Sequence, residues 1–117
     1  MKPLDTELVR QLATTHDVLV TIEEGSRGGF GDAVLSYVSE EGLLDTGSLV
    51  ARTMVIPDIW IEQGPQKDQY DIAELNEPHI VAKARRQGFL ASLIRILGRV
   101  AGIGSPDEEA QVTGRRQ

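Results

Sequence analysis

The sequence predicts a small α/β domain, a short parallel sheet flanked by helices. Three observations carry this expectation. Helical and strand patterns alternate as helix–strand–helix–strand–helix. The segment Val18-Leu19-Val20-Thr21-Ile22 is almost continuously apolar and β-branched, as in a strand covered on both faces. A glycine-rich stretch, Gly25 to Gly31, joins that strand to the next helical pattern.

The elements follow in order. Asp5 suits a helix N-cap, with Leu4 and Val9 at hydrophobic-staple positions. Leu8, Val9 and Leu12 then mark one face of a helix ending near Thr15–His16. The strand 18–22 is closed by Glu23-Glu24 and the glycines. A second helix is expected from about Asp32 to Glu41, with Val34, Leu35 and Val38 inward and Gly42 as its stop. Leu49 to Ile56 reads as a second strand, ended by Pro57, and Ile59-Trp60-Ile61 as a turn of helix. Gly64-Pro65 breaks the chain before a short helix at 68–75. Asn76 is placed to cap the last helix, with Pro78 in its first turn and an interruption at Gly88. Residues 1–102 are expected to form the domain and 103–117 a disordered tail. Two strands are few for a self-sufficient sheet, so the pattern reads as part of a larger one.

Composition narrows the function. The 117 residues allow one compact domain, and its five aromatic residues require an aliphatic core. Twelve Lys+Arg against 18 Asp+Glu give a net charge of −6, which argues against nucleic-acid binding. There is no cysteine, and His16 and His79 are the only histidines, so thiolate and His-rich metal sites are excluded by count. No apolar run approaches the ~20 residues of a membrane span, and the first residues have no apolar signal region. A cytoplasmic location is the expectation.

Charge is uneven along the chain. Residues 1–80 hold five basic and 15 acidic side chains, net −10, whereas 81–117 hold seven basic and three acidic, net +4. In the last helix Lys83, Arg85, Arg86, Arg95 and Arg99 interleave with Phe89, Leu90, Leu93, Ile94 and Leu97. Such a helix packs on its own sheet or, alternatively, docks a partner or an anionic membrane surface.

An ordered set of short motifs points to a family. Lys2-Pro3-Leu4-Asp5, then Thr21-Ile22-Glu23-Glu24 at a strand end, Gly28-Gly29-Phe30-Gly31 opening a helix, and Ile56-Pro57-Asp58 after a strand stand in one order and spacing. Asp71 to Asn76 and Ile80 to Ala84 continue it. Over residues 2–87 the chain resembles the C-terminal domain of the 1-deoxy-D-xylulose-5-phosphate synthases. These transferases belong to the transketolase-like, thiamine-diphosphate-dependent group. The segment beyond Gln87 is longer and more basic than the family pattern.

The resemblance implies a transketolase C-terminal-domain-like fold. In the family an opening strand–helix–strand unit of the same domain precedes Lys-Pro-Leu-Asp, so the chain is expected to be a fragment beginning inside that domain. It implies the parent reaction as well: pyruvate is decarboxylated on thiamine diphosphate, with magnesium, and the two-carbon unit is joined to glyceraldehyde 3-phosphate, opening the non-mevalonate route to isoprenoids. The family's catalytic and cofactor-binding residues lie in other domains, so no catalytic, cofactor or metal residue is assigned here and no activity is expected in isolation. Packing, dimer support, self-association or contact with the parent's other domains are the implied roles. A small interaction or regulatory module and one chain of a split transketolase-like enzyme are the alternatives.

The candidate residues are accordingly structural. Gly25, Gly28, Gly29 and Gly31 fit neither G-x-G-x-x-G nor a P-loop, and read as a tight turn with positive φ and close backbone approach. Glu23 and Glu24 are adjacent on a strand end and point apart, so they do not form a general-base pair. They and Asp58 read as residues bonding loop N–H groups or contacting other domains. His16 reads as a helix-end cap and His79 as an exposed first-turn residue.

Overall fold

The computed structural model describes residues 2–100. The boundary expected near 102 and the tail expected over 103–117 lie outside the described residues.

The first helix, α1 (Thr6–Thr15), begins where Asp5 accepts a hydrogen bond from Leu8 N–H at 3.0 Å, as its position predicts. His16 is its C-cap, with its N–H donating to Leu12 C=O. Val9 and Ala13 are buried whereas Leu8 is exposed, so the inward stripe lies one residue round from the one expected. Strand β1 (Val18–Ile22) follows, then α2 (Phe30–Glu40), which starts before the predicted Asp32. Gly42, at φ 67°, ends α2 in a Schellman motif: Leu43 N–H donates to Val38 C=O and Gly42 N–H to Ser39 C=O.

Strand β2 (Val50–Met54) is shorter than the predicted 49–56 and pairs with β1 in parallel, Val18 opposite Val50 and Ile22 opposite Met54. Val50 N–H donates to Asp17 C=O and Glu23 N–H to Met54 C=O. A parallel ladder so anchored turns the backbone groups of Val18, Val20 and Ile22 away from β2, toward an edge where no strand pairs among the described residues. On the outer side of β2, the Arg52 guanidinium donates to Ala51 C=O at 2.7 Å.

The apolar segment Ile59–Ile61 forms no helix. It is an irregular bend after Pro57 with Trp60 almost fully solvent-facing. Helix α3 (Gln66–Ile72) stops short of the predicted Leu75 because Glu74 turns to φ 56° and makes a second Schellman motif, Leu75 N–H to Tyr70 C=O. Asn76 does precede α4 (Glu77–Val100), but its side-chain amide bonds back to Asp71 and Lys67 instead of capping. Helix α4 runs unbroken through Gly88, which corrects the expected interruption. One glycine costs a helix interior only about 1 kcal/mol, and the flanking residues outweigh it.

Two layers cover the sheet. Val9 and Ala13 of α1, Val34 and Val38 of α2, and Leu49 form the main core, joined by Leu4, Leu19 and Phe30. Val34 and Val38 are fully buried and contribute about 1.5–3 kcal/mol each. Arg10 of α1 pairs with Glu41 beyond α2, and the Tyr37 hydroxyl, then Glu41, raise its already high pKa. By strand alternation, Val18, Val20 and Val50 turn to the other face, where α4 packs through buried Gln87 and Ala91. Arg95 pairs with Asp17 ahead of β1, so α4 runs antiparallel to the strands.

Candidate functional site: the glycine loop and the strand ends

The glycine loop is organised around one carboxylate. Glu23 follows the last residue of β1 and turns its side chain under the loop. Its Oε1 accepts from Phe30 N–H at 3.1 Å and its Oε2 from Gly31 N–H at 2.5 Å. These are orphan donors of the first turn of α2, whose own N-cap, Gly29, has no side chain to serve them. The helix dipole favours a negative charge at this end. Asp32 closes the loop from the other side by accepting from Gly28 N–H.

This arrangement explains the glycines one by one. A Cβ at Gly25 would stand 2.6 Å from Glu23 Oε1, and one at Gly29 would fall on the same oxygen. A Cβ at Gly31 would stand 2.7 Å from both Thr21 Oγ1 and Thr53 Cγ2, opposite partners in the ladder. Only Gly28 of the four takes positive φ, at 92°, so Gly25, Gly29 and Gly31 serve close approach alone. The sequence pointed to Glu23 as a loop-bonding residue. It did not single out Thr21 and Thr53 as the floor beneath Gly31, although paired threonines at a strand end opposite a glycine were the available signal.

The other candidates separate. Glu24 is exposed and borders a depression of about 380 Å³ lined by Ile56, Ile59, Ile61 and Tyr70. Asp58 is exposed in the bend after Pro57 and caps no helix. His16 sits at a helix end as expected, its ring Nδ1 within 3.1 Å of Leu12 C=O. His79 is half-buried rather than exposed, with its Nδ1 enclosed and unpaired among the described residues.

His79 belongs to a wider groove of about 920 Å³ at the carboxyl ends of the strands, between the glycine loop and α4. Arg27, Lys83 and Arg86 face it, as do Asp32 and Glu74. Carboxyl ends of parallel strands are where α/β sheets bind ligands. The helix start in the glycine loop offers no free pair of N–H groups to a phosphate. The N–H groups of Phe30 and Gly31 are already bonded to Glu23. Among the described residues no three His, Cys, Asp or Glu side chains converge as metal ligands, and no helix is long and apolar enough to cross a membrane.

The family model described as the transketolase C-terminal domain matches residues 1–80. That range holds the whole cradle: β1, Glu23, the glycine loop, α2 and β2. The small parallel sheet flanked by helices agrees with it, and the chain belongs to the transketolase C-terminal domain family.

Proposed function

We propose that this domain serves a 1-deoxy-D-xylulose-5-phosphate synthase-type transferase, as a non-catalytic part that packs against the rest of the enzyme and supports its dimer. The observation that carries the reading is the Glu23 cradle. Thr-x-Glu-Glu and Gly-Gly-Phe-Gly are two motifs of the resemblance, and here they form one physical unit, the carboxylate of the first bonded to the N–H groups of the second. The loop is thereby satisfied internally and left with a structural task. Thiamine diphosphate and magnesium then bind elsewhere in the enzyme, and a cytoplasmic location goes with this chemistry. The outer edge of β1 supports the packing role, because its backbone groups suit a further strand.

Two measurements test the reading. Purified chain with thiamine diphosphate, magnesium, pyruvate and glyceraldehyde 3-phosphate gives no product above background. Co-expression with a synthase of this type deleted only for the segment that corresponds to residues 2–87, its opening strand–helix–strand unit kept, restores activity. Turnover by the chain alone, or no restoration by a folded chain, overturns it.

A second reading, an interaction module built on the last helix, is favoured by one observation. The exposed apolar residues Phe89, Leu93, Ile96 and Leu97 lie beyond the family-matched range.

A further inference from the structure

The groove between the glycine loop and α4 gathers cations that have no ionic partner. His79, Lys83 and Arg86 stand at i, i+4 and i+7 on α4, so one stripe of the helix faces it. Arg27 faces the same space from the loop. Residues 1–80 hold only five basic side chains against 15 acidic ones, so carboxylates are plentiful. Yet the two ion pairs found among the described residues join Arg10 to Glu41 and Arg95 to Asp17, and neither uses Arg27, Lys83 or Arg86. The Nδ1 of His79, on the same stripe, is also unpaired among the described residues.

The two carboxylates that also face the groove leave these charges free. Asp32 is bonded to Gly28 N–H in the first turn of α2, where the helix dipole favours its charge. Glu74 follows α3, at the end of the groove where α4 begins, whereas Lys83 and Arg86 lie about one and two turns beyond His79. Much of the remaining wall is apolar: Val55 and Pro57 follow β2 and Leu75 follows α3, all three half-buried. A space of about 920 Å³ with a largely apolar wall and a few converging polar groups has the size and make-up of a small-molecule site.

We propose that this groove binds a small organic phosphate, its phosphate held by Arg27, Lys83 and Arg86 and its apolar body lying on Val55, Pro57 and Leu75. Charge selects the class. A carboxylate brings one charge and two oxygens. A phosphate monoester brings nearly two charges and three oxygens, which suit two guanidinium forks and an ammonium group. The N–H groups of Phe30 and Gly31 stay with Glu23, so side chains alone recognise the anion. Bound there, the phosphate ties the glycine loop to α4 across the carboxyl ends of the strands. The proposal does not depend on the synthase reading.

The test titrates the isotope-labelled full chain with phenyl phosphate at low salt and follows its amide resonances. The shifts saturate as for one site, centre on Arg27 and residues 79–86, and weaken as salt is added. Inorganic phosphate and benzoate bind at least about tenfold more weakly. Arg27→Gln and Lys83→Gln/Arg86→Gln each weaken phenyl phosphate at least about tenfold. Arg85→Gln, beside Arg86 but outside the groove, leaves the affinity within about twofold. Should the double variant fail to fold, Arg86→Gln at its exposed position replaces it. No saturation up to about 10 mM phenyl phosphate overturns the proposal. So does an equal loss in Arg85→Gln, which would reduce the effect to attraction by the basic helix as a whole. Equal binding of inorganic phosphate overturns it by leaving the apolar wall without a part, and equal binding of benzoate overturns it by assigning the groove to carboxylates.

Discussion

The carboxylate of Glu23 and the N–H of Gly31 meet across eight residues of chain, joining the end of a strand to the start of the next helix. Removing that carboxylate leaves two first-turn donors half-buried and unserved. Glu23→Ala is expected to lower stability by about 1–2 kcal/mol. Glu23→Gln keeps an acceptor but loses the charge that the helix dipole favours, and falls between it and wild type. Urea unfolding of the three proteins checks the order, and equal midpoints would remove the cradle from the account of stability.

The loop glycines are expected to differ in cost when changed to alanine. Gly31→Ala is the most damaging, since its Cβ meets two stiff β-branched threonines at 2.7 Å. Gly28→Ala has open space but positive φ, and costs roughly 1 kcal/mol. Gly29→Ala collides only with Glu23, so its cost should shrink in a Glu23→Ala background. A double-mutant cycle measures that coupling; additive costs would mean that Gly29 is needed for something other than room for the carboxylate.

Two substitutions should stabilise the fold. Gly88 lies inside α4 with nothing within 4 Å of a built Cβ, so Gly88→Ala is expected to add about 0.5–1 kcal/mol. Glu74 holds φ 56°, and Glu74→Gly should relieve about 1 kcal/mol of left-handed strain. Thermal melting of each variant and of the pair should show gains that add. A lower melting temperature for Gly88→Ala would contradict a continuous helix.

Docking of α4 should depend on packing and little on its ion pair. Arg95 and Asp17 are both about half-exposed, so Arg95→Ala is expected to cost less than about 1 kcal/mol and to matter least at high salt. Ala91 is buried, and Ala91→Asp places a charge against the sheet at a cost of about 3 kcal/mol or more. Trypsin should then cut α4 faster in Ala91→Asp than in Arg95→Ala, and the reverse order would make the ion pair the anchor.

Much of the fold was legible in local chemistry. The Asp5 cap, the Gly42 stop and the 18–22 strand depend on residues within a few positions of each other, and they stand where the sequence puts them. Errors arose where distant residues decide. α2 starts early because Glu23, from another element, serves its first N–H groups. The early stop of α3 is a local exception: Glu74, two residues beyond it, adopts a conformation usually given to glycine, which its residue type does not signal. Trp60 and the reverse face of α4 look like core residues in a pattern, because periodicity marks an apolar side without telling whether anything covers it. At the candidate site Glu23 and the glycines were readable together, whereas the groove around His79 joins elements up to 59 positions apart in sequence, from Arg27 to Arg86.

A helix that begins on a carboxylate borrowed from a strand cannot nucleate alone. Detached from β1, the first turn of α2 has no residue of its own at Gly29 to hold it. Its opening is therefore tied to that of the ladder, and the two should behave as one unit in native-state hydrogen exchange. The Gly31 amide is expected to exchange at the rate of the β1–β2 amides. A peptide spanning Gly28 to Glu41 should stay largely unwound in water, in spite of the apolar face that makes it a full helix in the domain.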